Sequence, residues 1–301
     1  MFQTVAVIGA GLMGHGIAQV FALAGCTVRV YDTEARMLDS LRTRIRDNLT
    51  ALGQDAGAAE RVTPTSHLAD AVGTVDFIVE AGPENLAVKQ RLFADIEAHA
   101  RPEAILASNT SVIPITQIMQ GLKHRERALG THWWNPPYLV PLVEVIRTQW
   151  TAEAAMQATI AALSQAGKKP VAVHKDVPGF VGNRLQHALW REAIALVQNG
   201  VCDAETVDTV IKAGFGRRLA VLGPLENADL VGTDLTQAIH ATVLPDLDVT
   251  RAPLPYLERL VREGKLGMKS GQGFRRWTPE AQAALKRQVL DYLRELNDKG
   301  L

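Results

Sequence analysis

The chain has 301 residues, 47% hydrophobic and 21% charged, with Lys+Arg and Asp+Glu equal at 32 each. That composition suits a soluble globular protein with room for two domains, and the charge balance gives no footprint for a nucleic-acid partner or an acidic membrane surface. No apolar run reaches the length of a membrane span, no basic cleavable leader opens the chain, and Cys26 and Cys202 lack metal-ligand spacing, so a reducing, cytoplasmic setting is expected.

Thr4 to Ile8 is a short β-branched run suited to a strand buried on both faces. It enters Gly9-Ala10-Gly11-Leu12-Met13-Gly14 and then an apolar-periodic stretch from Ile17 to Ala24. Strand, glycines and helix in that order form a dinucleotide fingerprint. Gly9 permits the tight turn, Gly11 lets backbone approach a pyrophosphate, and Gly14 lets helix and strand pack closely. Leu12 and Met13 belong to the same cofactor loop, where a helix N-terminus offers N–H groups to phosphate. A second strand, Thr27 to Tyr31, ends at Asp32. A carboxylate there bonds the ribose hydroxyls of NAD and repels the 2′-phosphate of NADP, so NAD is the expected cofactor.

Thr33 to Leu52 reads as one helix with Leu38, Leu41, Ile45 and Leu49 on its apolar face. Strand-like runs recur at Arg61 to Thr63, Val75 to Val79, Ala104 to Ala107, Ala128 to His132, Leu142 to Ile146 and Pro170 to Val173, with a helical segment at Leu86 to Ala98. The alternation predicts an α/β domain over residues 1–177, a Rossmann-type, doubly wound, mostly parallel sheet. Ligands of such sheets lie at the C-terminal strand ends, where Ser108-Asn109-Thr110-Ser111 and His132 fall. Ser111 reads equally well as a turn or helix cap.

From residue 178 onward no strand pattern competes. Helices are expected at Val181 to Gln198, Asp203 to Ala213, Leu254 to Arg262 and Pro279 to Leu296, giving an all-α domain over residues 178–301. The last starts with Thr278 as cap and Pro279 at its first position, and its apolar face of Leu285, Val289, Leu293 and Leu296 would cover a core or a partner subunit.

His132 in Thr131-His132-Trp133-Trp134-Asn135-Pro136 is followed twelve positions later by Glu144 inside Leu142-Val143-Glu144-Val145. A carboxylate can hold an imidazole in one tautomer and steady its cation, as a general base for alcohol oxidation requires.

With Glu84 to Lys89 (ENLAVK), Asp176 to Arg184 (DVPGFVGNR) and Gly264 to Phe274 (GKLGMKSGQGF), the chain resembles the L-3-hydroxyacyl-CoA dehydrogenase family over nearly all its length. The resemblance implies a homodimer built through the second domain and an active site between domains. It implies that His132 is the base, that Glu144 orients it, and that Ser111 and Asn183 bond the substrate oxygen or the nicotinamide surroundings. It also places Glu84, Lys89, Asn135 and Lys269 near the cofactor.

Four departures bear on substrate. The lysine-rich helical hairpin that helps hold CoA in the acyl-CoA enzymes is replaced by a short, lysine-free stretch from Thr33 to Glu60, whose Arg36, Arg42, Arg44 and Arg46 read as a solvated face or as phosphate contacts. Trp133 and Trp134 stand where the family has paired phenylalanines, and either fill core or face a flat substrate. Pro136 to Pro141 (PPYLVP) is unusual. Arg217 and Arg218 lie in a lengthened loop, either solvated or clamping a carboxylate in a bidentate fork. These features look more like the branch that contains L-gulonate 3-dehydrogenase, lambda-crystallin and carnitine dehydrogenase, which oxidises small free hydroxy acids. The expected substrate is thus a small hydroxy acid, with a short-chain acyl-CoA thioester as the alternative and a ring-bearing carboxylate as a third.

Overall fold

The computed structural model describes residues 2–300. They divide into two compact units, one running up to Arg184 and the other from Leu185 onward. The first carries β1 (Thr4–Ile8), α1 (Leu12–Leu23), β2 (Thr27–Tyr31), α2 (Ala35–Asp39), α3 (Leu41–Ala51), β3 (Val62–Thr65), α4 (Leu68–Val72), β4 (Phe77–Glu80), α5 (Leu86–His99), β5 (Ile105–Ser108), α6 (Ile115–Met119), β6 (Ala128–Trp133), β7 (Leu142–Ile146), α7 (Glu153–Gln165) and β8 (Lys169–Val173). The eight strands form one sheet in the order β3-β2-β1-β4-β5-β6-β7-β8. All pairings are parallel except β6 with β7.

Strand residues alternate between two cores. Val5, Val7, Val28, Val30, Val79, Leu129, Trp133 and Val145 pack with α1, α3 and α7 on one face. Ala6, Ile8, Ile78, Leu106, Ala128 and Ile146 pack with α4, α5 and α6 on the other. The period-2 alternation of a sheet covered on both sides explains this division.

The single helix expected over Thr33 to Leu52 is broken at Ser40. The Ser40 hydroxyl donates to the Arg36 carbonyl at 2.8 Å, a local bond that competes with helix continuation. Helix α7 was not anticipated, because its alanine-rich stretch carries too weak an apolar stripe to stand out.

Between β1 and α1 the glycines are sterically required. Gly9 has φ +110°, and a Cβ on Gly14 would lie 1.7 Å from the Gly9 carbonyl oxygen. A Cβ on Gly11 would meet nothing within 4 Å, so the backbone there faces open space.

The second unit begins within α8 (Gly182–Gln198) and adds α9 (Ala204–Ala213), α10 (Pro224–Val231), α11 (Thr233–Val243), α12 (Pro255–Arg262) and α13 (Pro279–Asp298). Among its described residues there is no strand. Its hydrophobic side chains are sparsely covered: Ala195, Leu254 and Leu260 are buried, whereas Val201, Val221, Leu225 and Leu230 are exposed.

Gly14→Ala should destabilise the chain by about 1–3 kcal/mol, the range for overpacking a closed contact, because the added methyl meets backbone. Chemical denaturation of parent and variant checks this, and an unchanged midpoint would show that the turn can open without cost.

Candidate active site

His132 near the end of β6 and Glu144 at the centre of β7 are directly opposed in the antiparallel register. The strands run in opposite directions, so both fall on one edge and one face of the sheet, and the twelve-residue spacing becomes a cross-strand pair. His132 Nδ1 lies 2.7 Å from Glu144 Oε2, and both side chains are buried. A carboxylate only accepts, so Nδ1 carries the proton and Nε2 keeps its lone pair.

The other carboxylate oxygen of Glu144 accepts from Val181 N (2.9 Å) and Gly182 N (3.0 Å). Burial alone would raise the Glu144 pKa, but the bonds from His132, Gly182 and Val181 outweigh it and hold the carboxyl below its ordinary range. The donors are aimed by a left-handed turn, with Gly179 at φ +74° and Phe180 at φ +51°. The Phe180 ring packs 5.6 Å from the imidazole and is buried. This is why the first unit extends to Arg184, past residue 177: the segment after Val177 completes the carboxylate's hydrogen bonds.

A cavity of about 340 Å³ opens beside this pair, lined in part by Met13, Glu84, Asn109, Ser111, His132, Trp134, Asn135 and Asn183. Asn183 donates to the Ser111 carbonyl at 2.8 Å, and Asn109 Oδ1 accepts from Trp133 N at 2.9 Å. Glu84 Oε1 collects Thr110 Oγ1 (2.5 Å), Ser111 N (3.1 Å) and Val112 N (3.2 Å). Burial would raise its pKa, yet these donors and the Lys89 ammonium bring it down. Ser111 therefore sits in a loop fixed by its backbone, and its side chain lines the cavity.

The structure corrects the placement of Lys89 and separates the two tryptophans. Lys89 does not line the cavity. Its side chain is 2% exposed, and its ammonium bonds Glu80 Oε1 at 2.6 Å and approaches Glu84 at 3.6 Å. Trp133 lies on the opposite face of β6 from His132, buried against Phe21 with ring centroids 5.8 Å apart. Its indole fills core. Trp134 stays beside the imidazole, at 5.2 Å between centroids, and a Cβ on Gly182 would meet its ring at 2.4 Å. Arg217 and Arg218 belong to a short 3₁₀ turn of the second unit, and Lys269 lines a mainly apolar cavity of about 620 Å³ within that unit.

Sequence reasoning gave no role to Glu80 or Phe180, and placed Asn109 at the ligand end of the strands only as part of Ser108 to Ser111. Glu80 is fully buried at the end of β4 and accepts from Lys89, from Gly82 N (2.7 Å) and from Ser108 Oγ (2.6 Å). A charged residue closing an apolar strand, nine positions before a lysine, was the available signal. The Pro136 to Pro141 loop is held by Lys168, whose ammonium donates to the Pro137 and Val140 carbonyls at 2.6 Å each; burial pushes its pKa down to about 8.

At the other end of the strand edge, Asp32 Oδ2 accepts from Ala10 N at 2.7 Å. The open space at Gly11, the sharp turn at Gly9 and the close contact at Gly14 fit the glycine loop of a dinucleotide-binding domain.

Residues 4–177 match the 3-hydroxyacyl-CoA dehydrogenase NAD-binding domain, and residues 179–277 match the C-terminal domain of the same enzymes. The chain belongs to the 3-hydroxyacyl-CoA dehydrogenase family. It is an NAD-dependent oxidoreductase acting on CH–OH groups. Among its relatives is 5-formyl-3-hydroxy-2-methylpyridine 4-carboxylate 5-dehydrogenase of Mesorhizobium japonicum, 36% identical over 95% of this chain and 94% of the relative. A crystal structure of an enzyme of that name, described as an NAD+-dependent dismutase, superposes with a TM-score of 0.92 at 35% identity over 99% and 98% of the two chains. A probable 3-hydroxybutyryl-CoA dehydrogenase of Deinococcus radiodurans is 38% identical over 89% of this chain and 98% of the relative. The crystal structure of (S)-3-hydroxybutyryl-CoA dehydrogenase from Ralstonia eutropha gives a TM-score of 0.77 at 30% identity, over 92% and 100%. Among the described residues no helix is long and apolar enough to cross a membrane.

The depressed Glu144 pKa sets a pH dependence. As pH falls below about 4.3, the unfolded carboxyl takes up its proton first. The stability that Glu144 contributes is thus complete above that pH and is lost as pH drops through the lower folded value. The stability difference between parent and Glu144→Gln should be largest at neutral pH and shrink below pH 4 in denaturant titrations. A difference that stays constant with pH would mean the carboxylate's charge is not what the fold uses.

Proposed function

We propose that this dehydrogenase oxidises a small, free, ring-bearing carboxylate, with the His132–Glu144 pair as its general base. The reading is carried by the buried 2.7 Å bond that leaves His132 Nε2 as a lone-pair acceptor in the cavity beside the Trp134 indole. NAD, when bound, accepts the hydride from the carbon that bears the hydroxyl. His132 Nε2 takes the hydroxyl proton, and Glu144 stabilises the imidazolium so formed. The amide of Asn183 and the hydroxyl of Ser111 hold the substrate oxygen, and Asn135 borders the nicotinamide end. A hydroxymethyl or hydrated aldehyde carbon gives up hydride and proton in the same way as a secondary alcohol.

Three observations favour a small free acid. The cavity of about 340 Å³ must take the nicotinamide and the reacting end of the substrate together. The stretch between β2 and β3 has no lysine. The superposition with the pyridine carboxylate enzyme extends over nearly the full chain. The second reading, a short-chain acyl-CoA thioester, is favoured by the 38% identity with the Deinococcus enzyme. The exposed apolar side chains of the second unit support the homodimer implied by family resemblance.

NAD reduction should be fast with a pyridine carboxylate carrying a hydroxymethyl or aldehyde group and slow with 3-hydroxybutyryl-CoA. The reverse order would establish the thioester reading. His132→Gln should keep NAD binding and lose turnover by at least ~10²-fold in the same assay; a variant as fast as the parent would remove the dyad from the mechanism. Trp134→Ala should raise KM for the ring-bearing acid roughly ten-fold, the order of one lost aromatic contact; an unchanged KM would show that the indole does not face the substrate.

A further inference from the structure

Arg44 was expected on a solvated helix face or on a phosphate. It does something else. From α3 its Nη2 donates to the Ala10 carbonyl at 2.8 Å and to the Met37 carbonyl at 2.9 Å. Its Nε is buried without a hydrogen-bond partner among the described residues. The same residue, Ala10, donates its N–H to Asp32 Oδ2 at 2.7 Å, while Asp32 Oδ1 accepts from Glu34 N at 2.9 Å. The two consecutive peptide units that flank Ala10 in the glycine loop are therefore held, the first by a carboxylate on its N–H and the second by a guanidinium on its C=O. The next carbonyl, that of Gly11, is bonded by His15 Nδ1 at 2.9 Å. Burial lowers the His15 pKa, and Asn48 Nδ2 donates to Nε2 at 3.2 Å, so this imidazole is neutral with its proton on Nδ1.

We propose that Arg44 is a positioning residue for the adenosine–pyrophosphate half of NAD: with Asp32 it fixes the two peptide units on either side of Ala10, and so fixes the loop whose N–H groups receive the pyrophosphate. Packing alone does not require it, since Leu41, Ile45 and Leu49 already seat α3 in the core. A guanidinium spent on two carbonyls at one end of a glycine loop has a different use. Glycines leave backbone free to move, and a loop that must present successive N–H groups to an anion gains affinity when its peptides are oriented beforehand. The cation also offsets the negative charge that Asp32 and a pyrophosphate bring to the same turn. Lysine can make both carbonyl bonds, glutamine only weaker neutral ones, and methionine none.

The test is NAD affinity of the full-length protein by calorimetric titration, with steady-state kinetics in parallel. Arg44→Met should weaken NAD roughly ten-fold or more, the scale of a lost charge-assisted hydrogen bond. The effect should fall on KM for NAD, with kcat changing far less. ADP-ribose should lose affinity by the same factor and nicotinamide mononucleotide should not. Arg44→Lys should recover most of the loss. An NAD affinity within two-fold of the parent in Arg44→Met would overturn the proposal. So would equal losses for both half-ligands, or a fall in kcat as large as the rise in KM. Should the Met variant fail to fold, Arg44→Lys against Arg44→Gln decides: about ten-fold weaker NAD in Gln than in Lys supports the clamp, and equal affinities overturn it. The proposal rests on the NAD-binding assignment and not on the substrate, and a parent that failed to bind NAD would strike that assignment instead.

Discussion

The site depends on one buried carboxylate. Glu144 sits at the centre of β7, buried, and such a group is tolerated only when its lone pairs are occupied. Its two oxygens divide the work. One orients His132, and the other binds the consecutive N–H groups of Val181 and Gly182. The second oxygen is thus satisfied only by the left-handed turn through Gly179 and Phe180, which the chain makes beyond β8. That turn also sets Gly182 against Trp134 and Asn183 against Ser111. Base, aromatic wall and amide are placed by a single electrostatic requirement.

The same device recurs along the strand edge. Asp32 after β2 binds the N–H groups of Ala10 and Glu34. Glu80 at the end of β4 binds Gly82 N, and Glu84 a few residues on binds Ser111 N and Val112 N. Each carboxylate fastens a loop at the C-terminal edge of the parallel strands, where N–H groups leaving the sheet have no ladder partner. Each of these loops is held at its backbone N–H groups by an acidic side chain. Charge-assisted bonds of this kind are short and directional, which is what a site needs if it is to hold reacting groups still.

Much of this was legible in the sequence, for reasons that are local. β1, the glycines and α1 carry periodicity and turn chemistry within twenty residues, and Asp32 follows at a fixed distance. The His132–Glu144 pair was legible as a spacing, and the register of β6 and β7 turned the spacing into contact. What could not be read depends on tertiary placement. Whether a tryptophan faces core or cavity turns on one residue of strand register, which is why Trp133 and Trp134, alike in sequence, part company in the fold. Lys89 and Arg44 look like surface cations from composition, and only the arrival of Glu80 and the Ala10 carbonyl beside them gives each a buried partner.

The choice between a free acid and a thioester follows from what the dyad does not touch. Proton removal and hydride departure are the same for any carbinol, so the His132 and Glu144 geometry carries no information about the remainder of the substrate. Discrimination must come from groups that meet the part that does not react. In the first unit the Trp134 indole borders the cavity beside the imidazole, and the neighbouring loop from Pro136 to Pro141 is pinned by Lys168 through two carbonyls. Lys168 ties this loop down at both Pro137 and Val140, and its ammonium lies 5.5 Å from the centre of the Trp133 ring. Rigid apolar walls beside a base select by shape, and shape is the property in which a flat ring and a flexible thioester chain differ most.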